Sequence, residues 1–120
     1  MAATHVLLVL ESDAAVRDSL KFSLTVEGFE VCAYASADEL INDDNLPASG
    51  CLIVHYHMPT MNGLDVIAKV RERRDAMPAL LMTGRPNAGI RERASAAGVA
   101  IVEKPFRGSE LIDCIRKLLD

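Results

Sequence analysis

No stretch of this 120-residue chain is apolar enough for a helix to cross a membrane, because its hydrophobic runs stop far short of the ~20 residues a bilayer span needs. The first of them, Val6–Leu10, follows no Lys or Arg and runs straight into Glu11, so no secretory leader is expected. Cysteine is scarce. Cys32, Cys51 and Cys114 are odd in number, widely spaced and without a Cys-x-x-Cys pair, which suits buried thiols in a reducing cytoplasm and excludes a disulfide framework. Repeats, low-complexity tracts and linkers are also missing, so residues 1–120 are expected to form one domain with no segment left for an output domain. Positive charge is in deficit: the formal net charge is −4, and neither nucleic acid nor an anionic membrane is an expected partner. Arg71, Arg73 and Arg74 make one small basic cluster, read as a solvated helix end.

What is present is a core. Half the residues are hydrophobic, and they fall into alternating strand-like and helix-like segments. Val6–Leu10 reads as a strand buried on both faces. Asp13 caps a helix striped by Val16, Leu20 and Leu24, which stops at Glu27-Gly28. Glu30–Tyr34 is a second strand, and the capping box Ser36-x-x-Glu39 opens a short helix to about Asn42. Cys51–Val54 is a third strand. Asn62-Gly63 opens a helix carrying Leu64, Ile67 and Val70, and Met77-Pro78 leads into a fourth strand, Ala79–Met82. Ile90, Ala94 and Ala97 mark a helix ended by Gly98, and Ile101-Val102 is a brief fifth strand. Leu111, Ile115 and Leu118 stripe the last helix, with Arg116 and Lys117 in its final turns.

Five strands alternating with five helices imply a parallel sheet covered on both faces. In such sheets the functional crevice lies beyond the carboxyl ends of the strands. The residues to inspect are therefore Glu11-Ser12-Asp13, His55-Tyr56-His57, Thr83-Gly84 and Glu103-Lys104-Pro105.

The segment Cys51–Pro59, an apolar strand followed by a polar cluster and Met58-Pro59, resembles the third strand of response-regulator receiver domains. The resemblance spans the chain, with Glu11-Ser12 after the first strand, Thr83 after the fourth and Lys104-Pro105 after the fifth. It implies a flavodoxin-like (βα)5 three-layer sandwich with strand order 2-1-3-4-5. In that family an acidic pair and an acceptor Asp hold Mg²⁺, a hard cation that takes oxygen ligands. The Asp receives a phosphoryl group from a histidine kinase, while the metal, Thr and Lys offset its charge.

This chain departs from the pattern on the metal side. Glu11 keeps a carboxylate on a longer stem, Ser12 has none, and His55 stands at the acceptor position. Ile101 occupies the place of the family's switch aromatic, three residues before Lys104. The resemblance with these departures implies a pseudo-receiver: not an enzyme, without a cofactor, with Mg²⁺ binding weak or lost, acting through protein–protein contacts. His55 reads as a structural plug, its neutral ring bonded to Lys104 or Ser12, or its cation paired with Glu11. Two other readings make His55 or another residue a phosphoacceptor, or make His55, His57, Glu11 and Cys51 a transition-metal or small-ligand sensor.

The resemblance also implies a cytoplasmic protein whose partner is a histidine kinase or another signalling protein. The matching contact positions are Ala14, Ala15, Asp18, Phe22, Tyr56, Pro105, Phe106 and Arg107. The face made by the fourth helix, fifth strand and fifth helix, including Arg91, Glu92 and Arg93, is the expected homodimer surface.

Overall fold

Strands and helices alternate in the order β1 (Val6–Leu10), α1 (Ala14–Val26), β2 (Glu30–Tyr34), α2 (Ala37–Ile41), β3 (Cys51–His55), α3 (Gly63–Arg73), β4 (Ala79–Thr83), α4 (Ala88–Ala97), β5 (Ala100–Glu103) and α5 (Glu110–Leu119). These assignments come from a computed structural model that describes residues 6–47, 49–104 and 109–119. All strand pairs are parallel, as the alternation implies, and the sheet order is β2-β1-β3-β4-β5, as the family resemblance implies.

Strand periodicity divides the interior into two cores. Leu8, Leu10, Leu52, Val54, Ala79 and Leu81 point toward α2, α3 and α4, where they meet Leu40, Leu64, Ile67, Val70, Ile90 and Ala94. Their neighbours Leu7, Val9, Cys51, Ile53, Leu80 and Met82 pack on the other face against Leu20 and Leu24 of α1 and Leu111 and Ile115 of α5. Every residue of β3 from Cys51 to Val54 is fully buried, which explains its unbroken apolar run.

The helix starts obey local chemistry. Val16 N donates to Asp13 Oδ1 at 3.0 Å, Asp65 N to Asn62 Oδ1 at 3.0 Å, and Ile90 N to Asn87 Oδ1 at 2.9 Å. In the Ser36–Glu39 box, Glu39 N donates to Ser36 Oγ, and Glu39 Oε2 reaches back to Ala35 N. Gly28 and Gly98 take the positive φ values, 99° and 66°, that close α1 and α4.

Three details differ from the sequence reading. β3, β4 and β5 each run at least one residue further, to His55, Thr83 and Glu103, because the ladder ignores side-chain polarity. Tyr56 N still donates to Met82 O, and Lys104 N to Thr83 O. Ala97 is exposed, and Val99 takes its expected place inside. Arg71 and Arg73 of α3 and its C-cap Arg74 do more than form a solvated helix end. Arg71 donates to Met77 O and Ala97 O, Arg73 to Ile41 O and Asp43 O, and Arg74 to Leu46 O and Pro47 O. Each guanidinium satisfies the orphan carbonyls of a neighbouring helix end or loop.

Candidate functional site

Strand order places the carboxyl ends of β1, β3, β4 and β5 side by side, carrying Glu11, His55, Thr83 and Lys104. Four of the five predicted pocket residues therefore meet along one edge, and the fifth, Ser12, is exposed beside them.

Glu11 is the hub. Its side chain is 2% exposed, an unusual burial for a carboxylate and one that needs partners. Lys104 Nζ donates to Oε1 at 3.3 Å, and the Asp13 amide donates to Oε2 at 3.2 Å. Its main chain is held as well: Glu11 N donates to Tyr34 O on β2, and Arg17 Nη1 donates to Glu11 O at 2.9 Å and Ser12 O at 3.3 Å. Sequence reasoning missed Arg17. Its only signal was a basic residue one turn into a helix, poised to reach back over the preceding loop.

His55 ends β3 on the α1/α5 side of the sheet, the same side as Ile53. Its Nδ1 lies 3.3 Å from Glu11 Oε2 but is not aimed well enough to make a hydrogen bond, and it is buried. Burial pushes the imidazole pKa below 6.5, Glu11 pulls it up, and Lys104 and His57 push it further down. Desolvation wins, so the ring is neutral at pH 7. Of the partners expected for His55, Glu11 is the one beside it; Lys104 bonds Glu11 instead, and Ser12 engages the site through its main chain.

Thr83 is fully buried, and its Oγ1 accepts from Arg85 N at 3.3 Å. Gly63 shows why the β3–α3 turn needs glycine. A Cβ there would lie 2.7 Å from His55 O and 2.8 Å from Leu81 Cδ1. Tyr56, Met58 and Met61 are half-buried and pack on the α2–α4 core. His57 is exposed, its ring edge-on to Tyr56 and to His55, with centroids 5.0 Å and 6.0 Å away.

The donor set here is one engaged carboxylate, one imidazole and the hydroxyls of Ser12 and Thr83, which does not match the oxygen cage that Mg²⁺ requires. For a transition metal, the described residues contain no cluster of three His, Cys, Asp or Glu side chains that could enclose an ion. Cys51 lies at the far end of β3 inside the core, and burial pushes its thiol up to about 12.

On α1, Ala14, Ala15, Asp18 and Phe22 are all exposed, and Phe22 is open over 72% of its surface. Pro105, Phe106 and Arg107 lie outside the described residues. Arg91 pairs with Glu103 at 3.8 Å and Arg93 with Asp65 at 2.8 Å, so two charges of the α4 face are engaged within the domain.

Comparison with known proteins agrees with this geometry. The family model for the response regulator receiver domain matches residues 7–116. The response regulator protein TodT of Pseudomonas putida is 36% identical over 115 residues, covering 95% of this chain and 51% of TodT. The transcriptional regulatory protein FixJ of Bradyrhizobium diazoefficiens is 32% identical, covering 92% of this chain and 55% of FixJ. The chain thus spans about half the length of these curated relatives. Among solved structures, full-length FixJ from B. japonicum superposes with a TM-score of 0.84 at 28% identity, over 98% of this chain and 59% of that one. The Vibrio cholerae chemotaxis protein CheY4 shares the fold at a TM-score of 0.88 and 21% identity, covering 97% of this chain and 99% of its own. Fold, strand order and the matched span together place this chain in the response-regulator receiver family.

Proposed function

We propose that this receiver domain works in two-component signalling without accepting a phosphoryl group at the usual position and without Mg²⁺. The observation that carries the reading is the state of Glu11. It is the one acidic side chain among the five pocket positions, and Lys104 and the Asp13 amide already hold both its oxygens. Phosphoryl transfer works by offsetting charge on the moving group. Here the cation meant for that purpose is paired, and a neutral imidazole stands in for the acceptor.

Function then rests on recognition. The exposed face of α1, with Ala14, Ala15, Asp18 and above all Phe22, would contact a histidine kinase or another signalling protein. A large exposed aromatic is the side-chain type that concentrates binding energy at interfaces. A homodimer through α4, β5 and α5 is a second use of the same scaffold. Signalling modules of this kind act by binding, and no enzymatic role is proposed.

The test is incubation with acetyl phosphate and with a partner kinase plus ATP, read by intact mass. The expected result is an unmodified protein with and without Mg²⁺. A stable +80 Da adduct mapping to His55 would overturn the reading in favour of a histidine acceptor (roughly the mass of one phosphoryl group). Phe22→Ser should weaken kinase binding about tenfold or more while leaving the melting temperature nearly unchanged.

A further inference from the structure

α3 and α4 cover the same face of the sheet, but they bring side chains of unequal size to it. The buried residues of α3 include Leu64, Val66, Ile67 and Val70, whereas those of α4 are Ile90 and Ala94. Toward α3, the last turn of α4 offers only Ala96 and Ala97. Alanine stops short of the neighbouring helix, and a hollow of about 380 Å³ lies open between the two. Its lining is apolar: the buried Leu64 and Ile67 with Ala68 on α3, and the two alanines on α4. Sites for small molecules have this size and character, with a few placed polar groups to fix orientation.

The polar groups here are two arginines, and they close opposite ends of the hollow. Near the start of α3, Arg93 Nη2 crosses from α4 to Asp65 Oδ1 at 2.8 Å. At the other end, Arg71 Nη1 crosses from α3 to Ala97 O at 2.6 Å, and its Nε donates to Met77 O at 3.1 Å. The crossings are separated by the stretch from Arg93 to Ala97 on one helix and from Asp65 to Arg71 on the other, roughly 6–9 Å. Their charge balance differs. Asp65 answers Arg93 with a carboxylate, whereas Arg71 has neutral carbonyls as partners and forms no ion pair among the described residues. Its Nη2 takes no part in those two bonds, so the guanidinium has N–H donors left for an anion. A half-buried cation without an acidic partner thus stands at one end of an apolar hollow, in a chain of net charge −4.

We propose that the hollow between α3 and α4 binds a small carboxylic acid with an apolar body of about six to eight carbons, the length the two crossings enclose. The carboxylate sits on Arg71, because at Arg93 it would have to displace Asp65. The apolar body lies along Leu64 and Ile67, between Ala68 and Ala96. Such a ligand touches both helices at once, and its binding stabilises the folded domain by mass action. The site is separate from the carboxyl-edge pocket and does not depend on whether that pocket takes a phosphoryl group.

The experiment titrates the full chain with octanoate, read by amide NMR and by melting. Octanoate has about ten non-hydrogen atoms, so a Kd on the order of 1 mM is expected. Amide shifts should concentrate between Leu64 and Arg71 and between Arg93 and Ala97, with Tm rising as octanoate is added. Octanol, which lacks the charge, and acetate, which lacks the body, should each bind about tenfold more weakly or worse. Ala96→Leu fills the hollow from an exposed position with a good helix former, so it should fold normally and lose octanoate binding about tenfold or more. Arg71→Gln should bring octanoate down to the level of octanol, while Arg93→Gln should change binding by less than about twofold. No binding, shifts confined to other regions, equal binding of octanol and octanoate, or wild-type binding in Ala96→Leu would each overturn the site. The comparison of ligands and Ala96→Leu decide the matter if Arg71→Gln does not fold.

Discussion

The ends of β1 and β3 and the ends of β4 and β5 form two halves of one edge, and their side chains are held differently. On the β4/β5 half, Thr83 and Lys104 are built into the fabric of the sheet. Thr83 is fully buried, its carbonyl accepts the Lys104 amide, and its hydroxyl accepts the Arg85 amide. On the β1/β3 half, Ser12 is exposed with its side chain unengaged, and His55 fills volume with a neutral ring. Glu11 sits at the boundary, its carboxylate 3.3 Å from the Lys104 ammonium.

The sharpest way to break this comparison is at the turn that joins β3 to α3. Gly63→Ala places a methyl 2.7 Å from His55 O, a backbone atom that has nowhere to move while β3 pairs with β1 and β4. We expect a loss of ~2–3 kcal/mol in denaturant unfolding, in line with overpacking at a tight contact. A change below ~0.5 kcal/mol would mean that the end of β3 is far looser than its pairing implies.

The next effect comes from restoring the family residues. His55→Asp alone sets a second carboxylate beside buried Glu11, and like charges at that range should cost ~1–2 kcal/mol at pH 7. It should not create strong Mg²⁺ binding, because Ser12 still offers no carboxylate. Adding Ser12→Asp supplies three carboxylates, and Mg²⁺ should then raise Tm in a concentration-dependent way. Strong Mg²⁺ binding by the single variant would show that Ser12 is not part of the loss. On the other half, Thr83→Val keeps the shape and removes the acceptor for Arg85 N, so about 1 kcal/mol is expected.

Much of this architecture is legible in the sequence because local rules and global packing agree. The buried run Cys51–Val54, the Asp13 and Asn62 caps and the terminal Gly98 all do what their residue types predict. The pocket residues could be gathered from strand order alone, since parallel strands end together. What stayed hidden depends on long side chains crossing between elements. The Arg73 and Arg74 clamps on residues roughly thirty positions away, and the Glu11–Lys104 contact across 93 positions, leave no periodic trace. The charge state of His55 was equally illegible, because desolvation, Glu11 and Lys104 act on it with opposing signs.

A smaller effect is expected from pH. The folded protein holds His55 below its ordinary 6.5, so as pH falls through that value the unfolded chain takes up a proton that the folded chain refuses. Stability should therefore decline below about pH 6.5, where the unfolded state binds more protons than the native state. His55→Gln should flatten this part of the profile. If the variant shows the same slope between pH 7 and 5.5, the imidazole is not the group responsible, and the pairing of His55 with Glu11 is closer than its geometry suggests.

The last comparison runs along β3 itself, from its buried beginning to its functional end. Cys51 opens the strand with no exposure and a thiol pushed up to about 12, chiefly by burial. Cys32 lies exposed on the edge strand β2, and Cys114 is half-buried on α5. Reaction needs both access and thiolate, so Cys32 should react first with an aromatic disulfide, Cys114 more slowly, and Cys51 only on unfolding. Burial also raises the Cys32 thiol, with Glu30 and Asp43 adding to it, so its rate should still climb between pH 7 and 9. Rapid native-state labelling of Cys51 would mean that β3 opens from its beginning. His55 would then terminate a mobile strand, and its place beside Glu11 would not be fixed.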